Sequence, residues 1–219
     1  MKNILLFIFL TFSILISSQE KKNFTNIQNI LKALRPNEKL DSWTLVYNIY
    51  SRDEVIKTTG KEKDYLPQFS GFKISNDEEG FYYIAKSVGG KTSYITDTEQ
   101  LRKFIGSVDN GEEAAVIGIL DGYFVDEEFE DLAGNYYADQ NNFYVELGKI
   151  TSKECPFEKT HFMLTVNKKS GTVTNVKDNG EYFEVYSKTC ANNPRMQNYK
   201  KELEPYVPPK KARSKKKRR

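Results

Sequence analysis

The sequence predicts an α+β fold, mainly an antiparallel sheet or two packed sheets ending in a C-terminal β-meander, with about three helices on one side. Three observations carry this expectation. Aromatic residues make up 13% of the chain, almost all of them Tyr and Phe, and such residues are enriched in strands. Several short segments alternate apolar and polar residues between clusters of Gly, Asn and Asp, which is the pattern of half-buried strands. Only three segments carry helical spacing together with start and stop signals.

The chain opens on a different kind of segment. Lys2 precedes residues 4–16, which are apolar apart from Thr11 and Ser13, and Ser17 and Ser18 offer small residues before Gln19. This is the layout of a secretory signal peptide, expected over 1–18. A spanning helix needs about 20 apolar residues, and Gln19, Glu20, Lys21 and Lys22 stop this run short of that. The expectation is therefore export to the periplasm or the medium, from a Gram-negative bacterium, with no transmembrane helix after cleavage. Neither cysteine stands at the cleavage point, so a lipoprotein anchor is excluded.

Beyond the leader, Phe24, Ile27, Ile30, Leu31 and Leu34 recur at helical spacing before Pro36, which predicts an amphipathic helix over 23–35. Trp43, Leu45, Tyr47 and Ile49 alternate and predict a strand with one buried face, Trp43 being a core residue. Residues 60–70 read as a loop. Residues 72–75, 81–86 and 92–96 read as a three-stranded meander, with Asn76-Asp77-Glu78-Glu79-Gly80 and Gly89-Gly90-Lys91 as its turns. Asp97 caps a helix with Leu101, Phe104 and Ile105 as its apolar stripe. Glu112 and Glu113 open the next helix, through Ala114, Ala115, Ile117 and Leu120 to Gly122, with the acids at its positive end.

The remainder reads as β. Tyr136-Tyr137 and residues 143–147 flank a hairpin loop over 138–142, and Phe162, Leu164 and Val166 alternate. Lys168-Lys169-Ser170-Gly171 is a turn. Asp178-Asn179-Gly180-Glu181 predicts a type I′ hairpin turn, because Asn-Gly fits its two positive φ angles. That turn would pair Val176 with Phe183 and Val173 with Tyr186. Residues 19–206 are read as one globular domain, with two subdomains dividing near 122–135 as the alternative, and 207–219 as a disordered basic tail.

Charge divides the chain. Eight of its 33 basic residues lie in the last ten positions and one in the leader, which leaves 24 against 30 acidic residues, or about −6, in the rest. Lys210, Lys211, Arg213, Lys215, Lys216, Lys217, Arg218 and Arg219 form an electrostatic tail with no apolar residue beyond Ala212, and such a segment cannot fold alone. Its expected partner is an anionic envelope surface or another polyanion.

Export permits oxidation, so Cys155 and Cys190 are expected to form a disulfide. With those geometries, the two would lie at opposite ends of an up-down-up meander, and residues 156–160 would run back to join them. A metal or redox role is not expected, for want of a C-x-x-C pair or of four ligands; no cofactor motif is present either. His161, the one histidine, is expected at the surface or an edge. The acidic run Asp126-Glu127-Glu128-Phe129-Glu130-Asp131 lacks the spacing of a calcium loop and reads as solvated. The hairpin residues Tyr136, Tyr137, Asn141, Asn142 and Tyr144 combine rings with amides, which suits stacking on and hydrogen bonding to a glycan or a peptide. The expectation from all of this is an exported, non-enzymatic binding or envelope-associated protein. The alternatives are a carboxylate-dependent, glycan-directed hydrolase, and a secreted inhibitor or structural interaction protein.

Overall fold

A computed structural model describes residues 20–61, 64–75, 78–194 and 196. The leader 1–18 and the tail 207–219 lie outside the described residues. Two antiparallel sheets and four helices form the α+β fold that the sequence predicts. Five strands make the larger sheet, in the order β1 (Lys22–Asn23), β6 (Gly134–Ala138), β7 (Asn142–Ser152), β8 (Phe157–Asn167) and β9 (Thr172–Val185). Four make the smaller, in the order β3 (Arg52–Gly60), β2 (Ser42–Ile49), β4 (Phe81–Val88) and β5 (Lys91–Ile95).

The helices are α1 (Ile27–Lys32), α2 (Thr98–Ile105), α3 (Gly111–Leu120) and a short α4 (Glu130–Ala133). Asp97 accepts from the Gln100 amide and Asn110 from the Glu113 amide, so both longer helices start at a side-chain cap. The expected helix over 23–35 is shorter, because residues 22–23 pair with β6 before Asn26 caps α1. Every residue of α3 from Glu113 to Ile119 is buried, and a helix that is apolar all round belongs inside a core. A Cβ at Gly118 would meet Leu147 and Leu164 of the larger sheet, so the missing side chain lets α3 lie close on β7 and β8. Phe104 of α2 packs edge-on against Trp43 of β2 at 5.3 Å. One hydrophobic cluster thus runs from Leu45 and Ile84 of the small sheet, through the helices, to Val145 and Leu164 of the large one.

Glu113 and Asn110 lock the start of α3 to the end of α1. The Glu113 carboxylate, 1% exposed, accepts from the amides of Arg35 and Asp109 at 2.7 Å each. The Asn110 side chain donates to the Ala33 carbonyl. Lys57 reaches from β3 to the carbonyls of Lys32 and Leu34, a cation at a helix C-terminus, and lies over the Trp43 ring.

Trp43 and Leu45 are buried as expected, but Thr44, Val46 and Asn48 on the opposite face of β2 are buried as well. Residues 64–71 cross that face, with Tyr65 edge-on to Tyr83 at 6.1 Å and the Leu66 amide donating to the Tyr94 hydroxyl. The predicted turn at Asp178-Asn179-Gly180-Glu181 does not occur. β9 runs straight through it: Val176 pairs with Leu164 and Phe183 with Lys159. Gly180 has φ +95° and the Asp178 carboxylate accepts its amide, so Asn-Gly makes a bulge where the register shifts between Thr160 and Phe162. An unbroken β8 offers a ladder along the whole segment, and a bulge absorbs the positive φ without reversing the chain.

Residues 72–75 contribute one bridge, Phe72 to Tyr82, rather than a strand. The β2–β3 hairpin turns at Tyr50-Ser51, both at positive φ, without the Gly or Asn that marks such turns in a sequence.

Candidate functional site

An open cleft of about 770 Å³ lies where β7 runs on past the start of β6, still paired with β8. Residues 123–127, leaving α3, form one wall; Phe124 bridges to Gly148 through both backbone hydrogen bonds. The end of β7 and the start of β8 form a second wall, and Lys73, Ile74, Ser75 and Glu78 beside the smaller sheet a third. Its apolar lining includes Ile74, Ile119, Leu120, Phe124, Val125 and Ile150. The volume falls in the range of small-molecule sites, which are concave and largely apolar with a few placed polar groups.

Seven ionisable side chains of fixed charge line the cleft: Lys73, Lys149, Lys153, Lys159, Glu78, Asp126 and Glu127. The acids are engaged. Glu78 accepts from the amides of Ile74 and Ser75, and Glu127 accepts from the Ile27 amide. Asp126 accepts from Lys159 at 2.8 Å, from the Tyr182 hydroxyl at 2.7 Å and from the Glu128 amide. Among the described residues, no carboxylate pairs with Lys149 or Lys153. Lys149 lies over the Tyr123 ring at 4.7 Å, and Lys153 is exposed. The cleft therefore offers positive charge above an apolar floor.

The Asp126–Lys159 pair corrects the expectation for the acidic run. Asp126 is 4% exposed, not solvated like Glu127 and Glu128. The Lys159 ammonium lies 5.1–5.7 Å from the rings of Phe124, Phe129 and Phe183. Burial pushes the Asp126 pKa up, but the hydrogen bonds from Lys159 and Tyr182, with the charge of Lys159, outweigh it and hold the carboxyl below its ordinary value. A buried charge is tolerated when it is paired and hydrogen-bonded.

The aromatic-amide hairpin forms as expected, with β6 and β7 joined through residues 139–141. Its predicted residues do not share one surface. Tyr136 faces the core, stacked on Phe24 at 5.1 Å, and a Cβ at Gly111 would run into its ring. Tyr137 and Tyr144 stack on the opposite face at 4.7 Å. Part of the loop's polar surface is engaged: Asp139 accepts from the backbone amides of Asn141 and Asn142 and from the Tyr144 hydroxyl, and the Asn142 side chain accepts from Asn167.

His161 shares that outer face and is partly buried rather than solvent-facing. It lies 3.8 Å from the buried Glu146 carboxylate, which also pairs with Lys21 at 2.7 Å. Burial lowers the imidazole pKa, and Glu146 opposes this without reversing it. Asn179, in the bulge, reaches the His161 ring at 3.4 Å. Three carboxylates, Glu158, Glu181 and Glu184, converge within 4.8 Å at the far end of the β8–β9 ladder, where Glu181 and Glu184 are exposed and solvent screens their repulsion.

Cys155 and Cys190 form the expected disulfide. The geometry behind it is simpler than predicted. Phe157 pairs with Val185, so with no turn at Asn179-Gly180 the two cysteines leave the ladder at the same end.

The lysines of the cleft were not singled out in the sequence. Lys73 lies far from Lys149 and Lys153 along it, and nothing local marks the three as a group. Among the described residues, no helix is long and apolar enough to cross a membrane. No protein-family model, no curated protein and no solved structure matches this chain.

Proposed function

We propose that this chain is an exported, non-enzymatic binding protein whose recognition site is the cleft between β7, residues 123–127, residues 73–75 and Glu78. The signal-like leader supports export, and the Cys155–Cys190 disulfide suits an oxidising compartment. One observation carries the choice of site: the acids of the cleft are spent on internal hydrogen bonds, while Lys149 and Lys153 face it without a carboxylate partner among the described residues. The hairpin is the weaker site, because the backbone amides of Asn141 and Asn142, the Asn142 side-chain oxygen and the Tyr144 hydroxyl are already bonded within the fold. The tail 210–219 adds electrostatic attachment to an anionic surface, at up to about 1 kcal/mol per basic residue near an anionic bilayer.

The glycan-directed hydrolase is disfavoured by the same geometry. A general acid needs a raised pKa, and Asp126 is held low. The Glu113 carboxyl is raised by burial, yet it is enclosed at the start of α3, outside the cleft.

The test is to purify the exported protein natively, extract it with organic solvent and analyse the extract by mass spectrometry beside a Leu120→Trp variant, whose indole occupies the cleft. A compound released in near-stoichiometric amount by the wild type and lost in the variant supports the site. A compound that survives the Leu120→Trp change, or no compound in either extract, refutes it.

A further inference from the structure

The charges and the apolar lining of the cleft point to more than an anion site. The positive groups stand at one side, on β7 and just beyond its end: Lys149 is half-buried against Tyr123 and Lys153 is exposed. The same cleft is lined by hydrocarbon from Ile74, Ile119, Leu120 and Phe124. Ile74 and Ile119 are each 7% exposed, so these side chains complete the core while presenting one surface to the cleft. A small inorganic anion would satisfy the lysines and leave the floor in contact with water. A neutral apolar compound would cover the floor and leave Lys149 and Lys153 without a direct partner.

We propose that the cleft takes a single-chain amphiphile, an alkyl chain ending in an anionic head, with the chain on Ile74, Ile119, Leu120 and Phe124 and the head at Lys149 and Lys153. The inference rests on the cleft being the recognition site and names the class of ligand that fits it. Lys159 takes no part in it, because Asp126 already holds its charge. Lys73 plays a lesser role, since its ammonium donates to the Glu78 carbonyl. An ammonium–carboxylate contact at a partly dry surface is a charge-assisted bond, stronger than a neutral one. Apolar burial then makes affinity rise with chain length, about threefold to fourfold per methylene.

The chemistry has two sources, a carboxylate-headed fatty acid and a phosphate-headed alkyl lipid, and the probes separate them. Calorimetric titration of the exported protein with decanoate, decyl phosphate and decanol is performed at about 0.15 M salt, where the Debye length is about 8 Å and the tail's long-range attraction is screened. Saturable one-to-one binding is expected for at least one of the two anions, tighter than decanol by about tenfold or more. The anion that binds better identifies the head group. Extending the chain from decanoate to dodecanoate should tighten binding by about tenfold. A Lys149→Gln/Lys153→Gln variant should bind the anion no better than decanol and bind decanol as the wild type does. Removing residues 210–219 should leave the saturable binding unchanged.

Equal affinity for decanol and the anions, full affinity in the double variant, or no saturable binding overturns the proposed ligand class. The cleft assignment is judged separately, by the extraction comparison with Leu120→Trp. A compound lost from that variant alongside failure of these probes overturns the amphiphile and leaves the site standing.

Discussion

Replacing Asp126 with alanine tests a buried ion pair. The substitution removes the acceptor of Lys159, of the Tyr182 hydroxyl and of the Glu128 amide at once. Lys159 is then left with ring faces at 5.1–5.7 Å, and cation–π contacts contribute only about 0.5–2 kcal/mol. Removing one partner of a buried pair costs about 3–5 kcal/mol, because the other charge stays uncompensated. The Lys159 side chain is 18% exposed, so it can reach some water, and about 3 kcal/mol is the expected loss. With a urea slope of about 2 kcal/mol/M, the unfolding midpoint falls by about 1.5 M.

Asp126→Ala/Lys159→Met should recover part of that loss, since no charge is then left buried. The pH dependence has a definite sign. The folded carboxyl titrates below its ordinary value of 3.8, so its contribution is complete above that value and is lost as pH falls through the folded value. The gap between wild type and Asp126→Ala should therefore close only below about pH 3.8. A midpoint within about 0.3 M of wild type at pH 7, or a double variant less stable than the single one, would refute this account.

Glu113→Gln keeps one acceptor but turns an amide N–H toward the second backbone donor. It should cost about 1–3 kcal/mol in urea unfolding, and a neutral result would show that the carboxylate does not bind both amides. Cys155→Ser with Cys190→Ser should cost about 3–4 kcal/mol, from the loop of 35 residues that the bridge closes; reduction of the wild type should lower its stability by the same amount. His161 faces Glu146, Lys21, Lys177 and Asp178, and burial holds its pKa below 6.5. The unfolded chain therefore binds this proton more readily, and wild-type stability should fall as pH drops below 6.5. His161→Gln should flatten that slope, and an unchanged slope in thermal melts would show that the imidazole titrates alike in both states.

Local signals placed the longer helices closely. Asp97 accepts the amide that its position before α2 calls for, and capping depends on a few neighbouring residues; Asn110, not singled out in the sequence, caps α3 in the same way. Gly171 sits at positive φ in the expected turn. Asn179-Gly180 shows where such signals stop. Asn-Gly specifies a residue pair able to take positive φ, but a hairpin or a bulge can use it, and the choice depends on whether a partner strand continues alongside. β8 does continue, and it lies outside any local window. Tyr50-Ser51 is the converse case, a hairpin turn with no turn residues, held by the ladder between β2 and β3.

The candidate site was less legible than the fold. The aromatic-amide hairpin was visible because its residues adjoin one another, yet the register sends Tyr136 inward and Tyr137 outward. The Lys149–Lys153 cleft had no local signature, since three separate chain segments meet to form it.

By itself the sequence determined the α+β class, the cap of α2, the buried Trp43 and a disulfide with one possible pairing. Each depends on local chemistry, periodicity or the cysteine count. Tertiary structure alone decided that β2 is covered on both faces, that β9 runs on past Asn179-Gly180, that Asp126 is buried against Lys159, and that two lysines face an apolar floor. Those outcomes depend on which distant segments meet, and long-range packing sets that through burial and charge compensation rather than through any short stretch of residues.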